Sequence, residues 1–148
     1  MDIETTKFGT ITINEDKLFK FVMPIVGFDE LSRFVLLEHN EDSIFKWLQS
    51  VDNSLLAFPI VSCANLPLEY VIDLPDNVVE MLQIESVDDL LVMNVASTPS
   101  ADPSAATINL LAPLVFNVKN RLAGQIILSG SGYEVNYPLF EKGESAEC

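Results

Sequence analysis

The sequence predicts a mainly β protein: a small antiparallel β-barrel-like domain with one short amphipathic helix. Three observations carry this. Short runs of alternating apolar and polar residues recur along the chain, turn-forming clusters separate them at short intervals, and a single segment has helical apolar spacing. Many short strands beside one helix favour closure, because closure removes edges that would pair with other chains.

In Phe8–Ile13, Ile11 and Ile13 share one face while Thr10 and Thr12 take the other. Leu18–Val22 places Phe19 and Phe21 together, opposite Lys20. Arg33–His39, Phe45–Val51 and Leu55–Cys63 follow as strands. The clusters between them, Asn40–Ser43 and Asp52–Ser54, carry side chains that satisfy local backbone groups in turns, so hairpins are expected. From Pro75 to Ile84 the period changes: Pro75, Val78, Val79 and Leu82 fall on one helical face. Pro75 suits the first helical position, where no N–H is needed, and Asp76 suits the positive helix end. Leu90–Val95, Thr107–Val118, Gln125–Leu128 and Tyr133–Tyr137 complete the strand series. Pro59 and Pro113 imply edges or bulges, since proline cannot donate to a ladder. Ser97–Ala106 reads as a long exposed loop rather than a linker, because apolar strands flank it directly. One domain is expected over 1–140, followed by a polar, disordered tail at 141–148. No internal repeat is visible.

The composition narrows the functional classes. The 148 residues are 49% hydrophobic and 20% charged, a globular balance that supports one domain without a metal or disulfide staple. Eight basic residues face 22 acidic ones, a net charge of −14 at pH 7 that repels nucleic acid phosphates and anionic lipid headgroups. Between Lys46 and Lys119 there is no basic residue and there are nine acidic ones. Solubility alone asks for a net charge of only about 2–8 in a small domain, so the excess favours a cationic partner. Cys63 and Cys148 lie far apart and read as free thiols in a reducing compartment. No secretory signal is visible, and the longest apolar run, Leu110–Phe116, is interrupted by Pro113 and falls short of the ~20 residues of a membrane span. These features predict a soluble, cytoplasmic protein.

Catalytic motifs are not apparent. The single histidine, His39, lies at a strand end entering a turn, and Gly130–Gly132 is a hairpin tip rather than a nucleophile elbow. Neither phosphate-binding glycine motif occurs. The carboxylate pairs Glu41/Asp42, Asp88/Asp89 and Asp73/Asp76 lack the spacing of a calcium loop. No cofactor or metal is expected, and the chain is read as a non-enzyme. Two other classes stay open: a small acidic barrel enzyme using carboxylates, and a structural subunit of a larger assembly. Carboxylates with perturbed titration converging in a pocket would mark the first, and a stable homo-oligomer the second.

Three stretches, Lys7–Phe28, Phe34–Phe58 (FKWLQSVDNSLLAF above all) and Thr107–Asn117 followed by Ala123–Leu128, resemble in order and spacing the bacterial flagellar assembly factor FliW family. The resemblance covers about residues 1–138 and implies that the 1–140 domain is a FliW-like β-barrel. It further implies a cytoplasmic protein-binding module with two partners. These are flagellin and CsrA, a basic dimeric RNA-binding regulator that represses flagellin translation. The family protein antagonises CsrA and so relieves that repression, and free flagellin reverses the effect by occupying it.

The candidate partner-binding residues are Trp47, Gln49, Asp52, Asn109, Pro113 and Asn117 within the shared stretches, and Tyr137 at the C-terminal strand. Trp47 and Gln49 share a strand face, where the tryptophan is either core or an interface anchor. Asn109, Pro113 and Asn117 recur at spacing four, which a continuous strand would place on one face, either as an interface or to satisfy a bulge. Phe8 and Gly9 are read as serving the turn and core. The family pattern has a basic residue and a histidine before the last proline. Here Asn136 and Tyr137 precede Pro138, so an aromatic contact replaces a charged one if that end meets a partner.

Overall fold

The computed structural model describes residues 1–38, 44–62, 70, 72–97 and 105–138. In order these form β1 (Asp2–Thr5), β2 (Gly9–Thr12), β3 (Phe19–Met23), β4 (Arg33–Leu37), β5 (Phe45–Ser50), β6 (Ala57–Ser62), α1 (Asp76–Met81), β7 (Leu90–Ser97), β8 (Thr107–Ile108), β9 (Leu114–Asn117), β10 (Leu122–Gln125) and β11 (Tyr137–Pro138). His39, Glu41, Asp42, Cys63, Cys148, most of the 97–106 loop and the 141–148 tail lie outside the described residues.

Strands β7-β6-β5-β4-β3-β10-β9 are neighbours in that order, and β9 pairs back with β7, so seven strands close into a barrel. The β1–β2 hairpin is a separate two-stranded sheet, and β8 and β11 extend from the far end of β7. The barrel expectation therefore holds, with one difference. β3 and β10 run parallel, while the other pairs are antiparallel. The reason is parity: an odd ring of strands cannot alternate direction all the way round.

Alternation along each strand sends Phe19, Phe21, Phe34, Leu48, Ile60, Met93, Leu114 and Phe116 into the barrel. Phe116 meets Phe19 edge-to-face at a centroid distance of 4.8 Å, and Phe21 meets Phe34 at 5.0 Å, the geometry aromatic quadrupoles prefer. The opposite face of β9 carries Val115, which packs with Val78 of α1, with Leu82 at its C-cap and with Ile126 and Leu128. The helix thus covers one outer wall, as its spacing predicts. Pro75 sits one residue earlier than expected, at the N-cap.

Several strand boundaries differ from the sequence reading. Thr107–Val118 is not one strand but β8 and β9, broken at 109–113. Pro113 has no N–H to donate, and the Asn109 Oδ1 accepts from Ala112 N at 3.0 Å, closing a local turn that competes with the ladder. Asn109, Pro113 and Asn117 consequently do not share a strand face. Tyr133–Val135 carries the right alternation but is not strand; only Tyr137–Pro138 pairs, with β8. In Gln125–Leu128 the ladder ends at Gln125, although Ile126 N and Leu128 N still bond Pro113 O and Leu111 O at 3.0 and 2.8 Å. Pro59 lies in a central strand, yet the β6–β7 pairing begins one residue later at Ile60, so there β6 is bonded to β5 alone. The four-residue β1 was too short to be read from pattern.

The parallel seam is tight at Gly124, where the register against β3 shifts by one residue. A Cβ at this position would lie 2.8 Å from the Met23 Cβ and 2.8 Å from its Cε. Gly124→Ala should therefore destabilise the barrel by about 1–3 kcal/mol in chemical denaturation. Met23→Ala in the same chain should not restore it, because the Met23 Cβ remains.

Candidate binding surface

The WLQSVD stretch builds one end of β5 and the turn beyond it. Trp47 and Gln49 share the outer face, opposite Leu37 and Val35 of β4. The Gln49 side chain is fully buried beneath the 50–56 turn. Its Nε2 donates to Ser50 O at 3.0 Å and Leu56 O at 3.1 Å, with a longer bond to Asn53 O at 3.4 Å. The buried Ser50 Oγ accepts from Asp52 N and Asn53 N at 3.2 and 3.0 Å. Both polar side chains therefore hold the turn that presents Asp52.

Asp52 accepts a forked bond from Arg33, at 3.2 Å to Nε and 2.5 Å to Nη2. This hydrogen bond holds the Asp52 carboxyl below its ordinary value and raises the Arg33 guanidinium. Trp47, the single tryptophan of the chain, is half-buried. The Phe8 ring meets it edge-on at 6.3 Å and the Lys7 ammonium lies 3.9 Å from its ring centroid. The tip of the β1–β2 hairpin thus partly covers the tryptophan, and Thr6 N ties that tip to Ser54 O at 2.9 Å.

The second group of candidates is dispersed. Asn117 is almost fully buried and its Nδ2 donates to Leu82 O and Gln83 O at 2.9 and 3.2 Å, satisfying carbonyls left over at the end of α1. Pro113 is buried. Asn109 is half-buried; its carbonyl accepts from the buried Asn94 Nδ2 at 2.9 Å, and the same Nδ2 donates to the Tyr70 hydroxyl at 3.1 Å. Tyr137 is half-buried against Val61, Ala96, Ile108 and Leu110. The structure therefore joins Trp47, Gln49 and Asp52 in one region, sets Asn109 and Tyr137 at the β8–β11 end, and places Asn117 against the helix.

A surface that motif reading missed lies between α1 and β7. Val87 is 80% exposed and Val118 is 42% exposed, and Val118 N bonds Asp89 O at 2.9 Å. Glu80, Glu85, Asp88 and Asp89 belong to this segment, where Lys119 pairs with Glu85 at 2.8 Å and lowers its carboxyl pKa. The cation-free stretch pointed to its acidity, but the approach of Val118 depends on β7–β9 pairing and has no local signal. A cleft of about 440 Å³ between the start of α1 and the 127–131 loop contains one carboxylate, Asp73. Among the described residues no group of three or more His, Cys, Asp or Glu could hold a metal ion, and no helix is long and apolar enough to cross a membrane.

Together these features define a small closed β-barrel with an acidic exterior and polar side chains that knit its turns. A sequence model of the family described as FliW protein matches residues 2–139. The chain is 36% identical over 143 residues to the flagellar assembly factor FliW of Clostridium novyi (strain NT), covering 97% of this chain and 99% of that protein. It is 37% identical over 148 residues to the flagellar assembly factor FliW of Geobacter sulfurreducens (strain ATCC 51573 / DSM 12127 / PCA), covering 100% and 92%. A crystal structure of the flagellar assembly factor FliW superposes with a TM-score of 0.88 at 35% identity, covering 97% of this chain and 100% of that one. The chain belongs to the FliW family of flagellar assembly factors.

Two substitutions test the roles given to polar groups here. Asn117→Ala should cost about 1–3 kcal/mol in urea unfolding, since it removes a buried amide and its bonds to the helix-end carbonyls, leaving Leu82 O only the 3.2 Å bond from Asn120 Nδ2. Asp52→Asn should cost less than about 1 kcal/mol at pH 7, because the pair with Arg33 is well exposed to solvent. The lowered Asp52 pKa means that its contribution is complete above the ordinary aspartate value of 3.8 and fades as pH falls through the folded value. Wild type and Asp52→Asn should therefore converge in stability when unfolding is followed to the acid side of that range.

Proposed function

We propose that this flagellar assembly factor works in the cytoplasm, without catalysis, as a protein-binding module that exchanges two partners. One is flagellin; the other is CsrA, whose repression of flagellin translation it lifts by capture. The observation that carries this reading is the charge distribution within a FliW-family chain. A stretch of 72 positions, 47–118, holds nine carboxylates and no cation, and the fold exposes Val87 and Val118 beside several of them. A basic dimer is steered to such a surface, and the apolar residues supply the short-range attraction after encounter. Carboxylates near the path of bound RNA also repel its phosphates, but only within the ~8 Å over which charge acts at physiological salt.

Trp47, Asp52 and Tyr137 keep accessible surface and are the residues of the WLQSVD and β11 regions that meet a partner. Gln49, Asn109, Pro113 and Asn117 act behind the surface by holding its turns and the helix end.

Size-exclusion chromatography of the purified protein with CsrA, with flagellin and with both tests the exchange. Two binary complexes are expected, with flagellin displacing CsrA and with the CsrA complex weakening as salt rises. Changing Asp88 and Asp89 together to lysine should slow CsrA association at low salt by about tenfold or more and leave flagellin binding in place. Binding to neither protein would sink the reading. An equal loss of CsrA docking and of RNA displacement in the lysine variant would sink the phosphate-repulsion part alone.

A further inference from the structure

We infer that the cleft beside the unpaired end of β4 is a strand-addition site for an extended acidic segment of a partner protein. β4 is flanked on both sides only at its start. Its pairing with β5 runs from Phe34 to Leu37, whereas its pairing with β3 holds only Arg33 and Phe34. Before Phe19 the chain does not continue as strand. It coils through the Glu15–Lys17 turn, whose bonds, Lys17 N to Asn14 O at 3.0 Å and Leu18 N to Glu15 O at 3.2 Å, are internal.

Ladder parity then fixes where the backbone groups of β4 point. Val51 N donates to Arg33 O at 3.0 Å and Phe21 N donates to Ser32 O at 2.7 Å, so odd-numbered residues bond towards β5 and even-numbered ones face β3. Leu36 is the even-numbered residue beyond the end of β3. Its N–H and C=O therefore face a cleft of about 280 Å³, bordered by Val35–Leu37 on one side and Thr12–Asn14 on the other. An exposed edge with free donors and acceptors next to a groove is the template on which an added strand docks.

The charge of the occupant follows from Lys17 and Arg121, which also line this cleft. Neither belongs to the three ion pairs among the described residues, although Asp16 is near enough to act on Arg121 electrostatically. Arg121 is held in place by a 2.7 Å bond from Nη2 to Lys17 O and by stacking 3.7 Å over the Phe19 ring. Main-chain pairing at Leu36 supplies affinity without sequence preference, and a carboxylate near Lys17 and Arg121 supplies selection. The inference stands on this cleft alone and does not depend on which proteins the acidic face binds.

The test is amide hydrogen exchange by NMR on the full chain, with a capped peptide of about eight alternating valine and glutamate residues as the probe. At saturation the Leu36 amide should exchange at least about tenfold more slowly. A matched peptide with lysine for glutamate should bind at least about fivefold more weakly, and Lys17→Gln, at an exposed position, should weaken the acidic peptide severalfold with the spectrum of the fold unchanged. No binding up to about 1 mM peptide would overturn the proposal. So would binding that leaves Leu36 exchange unaltered, or equal binding of the lysine peptide. Protection of Leu36 before any peptide is added would overturn it too, because this chain would then already cover its own edge.

Discussion

Closure of an odd-stranded ring is the constraint on which the rest of this structure depends. Six pairs can be antiparallel, but the seventh must be parallel, and it falls between β3 and β10, about a hundred residues apart in sequence. Parallel hydrogen bonds are slanted and slightly weaker per residue, so this seam needs close packing to hold. Gly124 permits it by letting Met23 approach where any side chain would collide. Once the ring is shut, each strand has an inside and an outside. Phe19, Phe21, Phe34 and Phe116 fill the first with edge-to-face pairs, and the second is divided among α1, the β1–β2 hairpin and the β8–β11 extension.

The outer elements are fastened by a few buried amides, and this explains why the polar residues of the family motifs sit where they do. Gln49 gathers the carbonyls of the turn after β5, Asn117 gathers those at the end of α1, and Asn94 ties β7 to Asn109. Each is a neutral group whose donors are matched in place, a cheaper arrangement than burying an unpaired charge. Charge is left to the surface. There Arg33 pairs with Asp52, Lys46 with Glu38 and Lys119 with Glu85, so much of the small cationic complement is already neutralised. The remaining carboxylates set the long-range field. A surface of this composition therefore carries a long-range negative field that short-range shape must complement.

The strand series, the single helix and barrel closure were legible because alternation and helical period are local and survive in one sequence. Trp47 and Gln49 were rightly put on one face for the same reason. The limits were set by events between distant segments. Thr107–Val118 reads as one strand until the Asn109 side chain turns the backbone, and the even spacing of Asn109, Pro113 and Asn117 then loses its meaning. A buried amide that caps a helix from 35 residues away and an exposed amide on an interface give the same letter in the sequence. The pairing of Val118 with Asp89, and of Arg121 with Lys17, depends on ring closure, which fixes those neighbours only after the whole barrel has formed.

The same closure accounts for a place among the described residues where the barrel is left open. Strands that are staggered cannot all be paired along their whole extent, and β3, as long as β4 but offset from it, leaves the end of β4 without a neighbour. A bare edge invites pairing with another copy of the chain, and nearby cations are a common way of preventing that. Lys17 and Arg121 perform this service here, since two copies meeting edge to edge would bring like charges together. The cations of this edge thus oppose pairing of the same edge on two copies, in a chain where basic residues number eight against 22 acidic ones. The acidic face and the basic cleft are thus complementary in sign. The two surfaces of this small barrel therefore do not attract the same sign of charge.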